Sequence, residues 1–187
     1  ESMVMPIVSF LEQLPSNDFA NATSKQIEYV RLWFFLSSLE GTYGGGLHGS
    51  SNVILKRDSK FLSNIGKNIY DKDFWKKFNI HFSYDDLLQL HNKNSAIFKG
   101  IMCFLNYSKN FINLKNDTLI DSSAKAKNEV HHIFPSHHLK KDLKITDDTD
   151  TILNKMFLCK TINAGISAKP PYEYLTDFKK TNSKINN

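Results

Sequence analysis

Asn128-Glu129-Val130-His131-His132-Ile133-Phe134-Pro135 is a short apolar strand that carries two adjacent histidines and stops at a proline. Roughly twenty residues on, Asn154 opens a second apolar run, Met156-Phe157-Leu158-Cys159. That run leads into Lys160-Thr161-Ile162-Asn163-Ala164-Gly165-Ile166, whose spacing predicts a short helix. The order is therefore strand, loop, strand, helix, with a His-His pair first and two asparagines nine positions apart last.

Residue chemistry says what such a constellation can do. Side chains alternate faces along a strand, so adjacent histidines point to opposite sides. Both can serve one site only near a strand end or a bulge, and Pro135 signals such an end. An imidazole titrates near neutral pH and can take a proton from water. One histidine can thus be a base and the other a metal ligand. Magnesium prefers oxygen donors and keeps several waters, so few protein ligands suffice. An asparagine carbonyl from the helix can be one of them.

These residues resemble the HNH, or ββα-metal, nuclease site. His131-His132-Ile133-Phe134-Pro135, then Leu139-Lys140-Lys141-Asp142, Ile152-Leu153-Asn154 and Thr161-Ile162-Asn163, are similar to the HNH domain of GmrSD-type restriction endonucleases. Their order and the Asn154–Asn163 spacing also resemble the HNH domain of CRISPR effector nucleases. Ile166-Ser167-Ala168-Lys169-Pro170, closing on Tyr174-Leu175, resembles the segment that follows the last motif residue. The likeness covers roughly the last third of the chain. It implies His131 and Asn163 as metal ligands, His132 as general base, and Asn154 as the residue that holds the loop orienting that base. Many HNH domains end on His where this chain has Asn163, which favours magnesium or manganese over zinc. The implied activity is metal-dependent hydrolysis of DNA phosphodiester bonds, serving phage defence by restriction. An idle site in a DNA-binding or NTPase-coupling module, and a nuclease directed at RNA, are the alternatives.

The expected fold is α+β and mainly α-helical, with a helical region over 1–116 and the ββα-metal domain over 117–187. Residues 3–14 read as a short helix or strand closed by Pro15. Thr23 and Gln26 form a capping box for a helix from Ile27 to Leu39, stopped by Gly41 and Gly44-Gly45-Gly46. Its run Leu32-Trp33-Phe34-Phe35-Leu36 is apolar all round, which predicts burial on more than one face. The glycine run lacks the Lys-Ser/Thr pair of a phosphate cradle and reads as a loop. Further helices are expected over 51–66, from Ser83 with a capping partner at Asp86, and from Ala96 to Tyr107. Asp73-Phe74-Trp75 and Phe78 add aromatic core. Phe111–Leu114 reads as a strand, and Asp117–Lys127 as a polar linker. Tyr29-Val30-Arg31-Leu32-Trp33-Phe34 resembles a helix upstream of the HNH domain in GmrSD-type proteins. The amino-terminal nucleotide-binding domain of that family, with its Asp-Gly-x-Gln-Arg motif, has no counterpart here. That makes it an expected partner domain and leaves NTP binding unassigned to this chain.

The 187 residues carry a formal net charge of +5, compatible with a polyanionic partner, here DNA. Of 24 Lys and Arg, only Arg31 and Arg57 are Arg, so phosphate contacts would be mostly lysine point charges. Lys160, Lys169 and His138 are candidates for such contacts. His137 or His138 is expected to be a solvated loop residue, and a structural zinc site lacks ligand spacing. Asp147, Asp148 and Asp150 read as a solvated acidic loop, with a second cation as the alternative. His48, His81 and His91 stand alone. Cys103 and Cys159 are read as reduced, buried thiols. No apolar run reaches the roughly 20 residues of a membrane span, and no signal peptide is evident, so a cytoplasmic location is expected. Glu1-Ser2-Met3-Val4-Met5 does not read as a natural beginning and suggests a tag remnant or an excised fragment.

Overall fold

A computed structural model describes residues 3–43, 51–108 and 128–182. The expectations for Gly44-Gly45-Gly46, His48, Phe111–Leu114 and Asp117–Lys127 fall outside the described residues. The fold is α+β and mainly helical, and among the described residues there is one two-stranded antiparallel sheet. The elements are α1 (Val4–Leu11), α2 (Ser24–Leu39), α3 (Ser51–Gly66), α4 (Tyr84–Leu88), α5 (Ala96–Ser108), β1 (Asn128–His132), β2 (Lys155–Cys159), α6 (Lys160–Ile166) and α7 (Pro171–Lys179). No helix among the described residues is long and apolar enough to cross a membrane.

The chain forms two compact units. The first comprises 1–81 and 94–101, the second 82–93 and 102–187. The expected boundary at 116/117 lies outside the described residues. The segment around α4 belongs with the sheet because Thr151 Oγ1 donates to the Leu87 carbonyl at 2.9 Å and Ile152 N–H to the Leu90 carbonyl at 2.9 Å. A contact across more than sixty residues leaves no local mark in the sequence.

In the first unit, α1, α2 and α3 enclose Phe10, Leu14, Val30, Trp33, Phe61, Leu62, Ile65 and Phe74. The capping box forms: Gln26 N–H donates to Thr23 Oγ1 at 3.2 Å, and Thr23 N–H to Gln26 Oε1 at 2.8 Å. Gln26 Nε2 also donates to the carbonyls of Ile65 and Gly66, so one buried amide caps the start of α2 and the end of α3. A Cβ on Gly66 would sit 2.6 Å from Gln13 Cβ, which shows how closely the segment after α1 approaches α3. Within Leu32–Leu36, Trp33 is buried and Phe34, Phe35 and Leu36 are half-buried, while Leu32 is 42% exposed. Burial thus extends beyond a single stripe without passing right round the helix. Asp58 is completely buried and accepts from Trp33 Nε1 (3.0 Å), Tyr43 OH (2.9 Å) and Arg57 Nε (2.7 Å). Cys103 is exposed and Cys159 half-buried, so the expectation of buried thiols fails; both thiols are free.

In the second unit, α6 and α7 pack Ile162, Ile166 and Tyr174 against Leu158 of β2. The sheet register pairs Glu129 with Leu158, Val130 with Phe157, His131 with Met156 and His132 with Lys155.

Candidate active site

The register assigns each motif residue a face. Paired residues of an antiparallel sheet share a face, and residues two apart on one strand share it too. Glu129 and His131 therefore lie with Met156 and Leu158, on the face that α6 packs against. Val130 and His132 lie with Phe157 and Lys155 on the other. No bulge separates the two histidines, yet their rings remain close, 5.9 Å between centroids and 81° between planes.

Asn163 projects from α6 to the first of these faces. Its Nδ2 donates to Glu129 Oε2 at 2.9 Å. An ionised carboxylate only accepts, so the amide nitrogen must turn toward Glu129 and the amide oxygen away from it. His131 Nδ1 lies 3.0 Å from the His132 carbonyl, which makes it the protonated nitrogen and leaves the Nε2 lone pair. Burial lowers the His131 pKa, with smaller contributions from neighbouring His132 and Lys155, and so favours the neutral ring.

His132 meets a charged cluster. Its Nε2 is 2.7 Å from Asp150 Oδ1, 2.7 Å from Lys155 Nζ and 3.1 Å from Ser136 Oγ. Lys155 Nζ also donates to Asp150 Oδ1 at 2.8 Å. Hydrogen bonds from Lys155 and His132 bring the Asp150 carboxyl down to about 2.

Asn154 sits under the loop that follows β1. The residue is 8% exposed. Its Oδ1 accepts from Phe134 N–H at 2.8 Å, and its Nδ2 donates to the carbonyls of Phe134 (3.0 Å) and Thr149 (2.9 Å). Both backbone groups of Phe134 are thereby fixed two residues after His132. Tyr174 OH donates to the neighbouring Ile133 carbonyl at 2.7 Å. The Ile133 N–H bonds to the Asn154 carbonyl at 3.0 Å, which continues the ladder past β1.

The expected nucleic-acid contacts divide. The Lys160 side chain is 68% exposed and lies 3.7 Å from Glu129 Oε1. Lys169 pairs with Asp177 at 3.2 Å. His138 needs correction: it is only 9% exposed, and its Nδ1 pairs with Asp142 at 2.8 Å across a π-helical turn, His138–Asp142. Its neighbour His137 is the exposed one. The acidic loop does not act as a unit: Asp148 meets His91 at 3.4 Å while Asp150 serves His132. Among the described residues, no group of three or more His, Cys, Asp and Glu converges as a metal cage.

Sequence reasoning passed over Glu129, Lys155, Asp150 as a partner of His132, and Tyr174. For Glu129 and Lys155 a signal existed: period two from His131 backwards, and the residue next to Asn154 once the register is known.

No protein-family model matches the chain, and no solved structure matches it. The chain is 25% identical over 151 residues to an uncharacterized protein of Methanocaldococcus jannaschii. That likeness covers 81% of this chain but 25% of the archaeal protein, so the chain spans about a quarter of that relative's length.

Proposed function

We propose that this chain is a metal-dependent endonuclease of the HNH, or ββα-metal, type that hydrolyses DNA phosphodiester bonds. One observation carries the reading most: Asn163 reaches from α6 to Glu129, on the same strand face as His131. The residues fit a hard divalent cation. His131 offers Nε2 from a ring kept neutral by burial, and Asn163 offers an amide oxygen turned away from Glu129. Magnesium, or manganese, would be held by His131 and Asn163 and would supply neutralisation of phosphate charge together with a more acidic bound water.

The remaining chemistry belongs to the chain. With Nε2 of His132 engaged by Asp150, Nδ1 is the atom that takes the proton from the attacking water. Asp150 fixes the tautomer and stabilises the imidazolium that results. Asn154 holds the Phe134 backbone and with it the loop beside the base. Lys160, 68% exposed at the start of α6, is available to a DNA phosphate. The setting that suits this chemistry is the cytoplasm, in restriction of invading DNA, alongside a nucleotide-binding domain in the same or another chain.

A second reading, a DNA-binding or coupling module with an idle site, draws on Lys155. Its ammonium is 2.7 Å from His132 Nε2 and competes with Asp150 for that nitrogen. Supercoiled plasmid incubated with magnesium, manganese or chelator separates the two. Wild type should nick with either metal. His132→Ala should slow cleavage at least about 100-fold, the lower end for loss of a general base. Undiminished cleavage by that variant removes the base assignment. No metal-dependent nicking by wild type favours the idle module, and cleavage of RNA alone in a parallel digest redirects the substrate.

A further inference from the structure

We infer that Glu129 is a third protein ligand of the divalent cation proposed for this site, and that Lys160 neutralises it while no cation is bound; the inference rests on the metal-dependent reading above. His131 and Asn163 are both neutral donors, so between them they bring no charge to a dication. Magnesium sites in proteins are held through one or two carboxylates. Among the described residues, Glu129 is a carboxylate that contacts Asn163 and shares a strand face with His131. It precedes His131 by two residues and so projects from the same strand face. Its Oε2 accepts from Asn163 Nδ2 at 2.9 Å. A single glutamate thus touches the side chain of one proposed ligand and shares a strand face with the other. Two neutral donors and one carboxylate form a borderline-hard set that suits manganese and magnesium.

Lys160 completes the account. Its ammonium lies 3.7 Å from Glu129 Oε1, and its side chain is 68% exposed, so it can swing away at little cost. Before a cation arrives, that ammonium offsets the carboxylate. Once one binds, the lysine is released toward solvent or a phosphate.

Manganese binding to the 187-residue chain, read by loss of the free-ion electron paramagnetic resonance signal and by magnesium competition, tests this without any cleavage assay. Glu129→Gln keeps an oxygen that accepts from Asn163 Nδ2 but has no charge. It should weaken manganese binding by more than about 100-fold, beyond the roughly 10–100-fold that loss of an outer partner of a ligand costs. Lys160→Met should tighten it. If Glu129 only positions the Asn163 amide, Glu129→Gln binds manganese like wild type and the inference is overturned. Loss of binding in Asn163→Ala with Glu129→Gln intact sinks the third ligand and leaves the metal reading standing. A wild type that binds no manganese sinks both. An unchanged Lys160→Met removes the lysine's part. Far-UV circular dichroism on each variant separates lost ligation from lost folding.

Discussion

Asn154→Ala is the substitution whose cost follows most directly from the geometry. The side chain makes three hydrogen bonds, all to backbone: Phe134 N–H, Phe134 C=O and Thr149 C=O. Alanine strands all three groups. Phe134 is 46% exposed, so water can reach its backbone and each of those losses should cost about 1 kcal/mol. Thr149 is buried, and a dry orphaned carbonyl costs nearer 2 kcal/mol. The expected loss is about 4 kcal/mol, a large share of the 5–15 kcal/mol typical of a domain. It should fall on the second unit alone. Both tryptophans, Trp33 and Trp75, belong to the first, so the urea midpoint by tryptophan fluorescence should hold while amide exchange around β1 and β2 accelerates.

Asn154→Asp sharpens the test. One carboxylate oxygen can still accept from Phe134 N–H. The other then faces two carbonyls that cannot donate. At pH 7 this variant should be at least as unstable as Asn154→Ala. It should recover in part toward pH 5, as the carboxyl gains a proton and can donate again. Either variant within about 0.5 kcal/mol of wild type at pH 7, the range of an ordinary surface change, would refute the clamp.

Three further outcomes follow from single contacts. Tyr174→Phe removes the bond to the Ile133 carbonyl at a 3%-exposed residue and should cost about 1–2 kcal/mol by urea denaturation of the second unit. Asp58→Ala strips the acceptor from Trp33, Tyr43 and Arg57 and should cost about 3 kcal/mol in the first unit, visible in tryptophan fluorescence. Asp150 has a folded pKa of about 2 against an ordinary 3.8, depressed by Lys155 and His132, so its contribution is complete above pH 4 and disappears as pH falls toward 2. Asp150→Asn should flatten the acid limb of the stability curve in that window, as measured by thermal melts.

Local signals in the sequence translated into structure where the physics is local. Thr23 with Gln26, and Ser83 with Asp86, both formed capping boxes, because such a box needs only four residues. The apolar runs at Val130 and Met156–Cys159 became paired strands, and Lys160–Ile166 became a helix. What the sequence concealed depends on distant partners. The segment 82–93 joins the second unit through bonds to Thr151 and Ile152. His138 looked like a loop cation until a π-helical turn set Asp142 against its ring. Glu129 looked like an ordinary strand charge until α6 brought Asn163 to it.

The sheet register ties these points to chemistry. Pairing Val130 with Phe157 sends Glu129 and His131 toward α6 and His132 toward Lys155 and Asp150. With Leu158 held against Ile162 and Ile166, a slip of β1 by one residue would turn His132 to the α6 face and His131 to the face of Lys155. Leu158 fixes which face of β2 meets α6. The pairing of β1 with β2, continued by the bond from Ile133 N–H to the Asn154 carbonyl and by the Asn154 side chain on Phe134, then fixes which imidazole shares that face. The two histidines are adjacent in sequence and differently surrounded because the register and one buried leucine together send them to opposite faces.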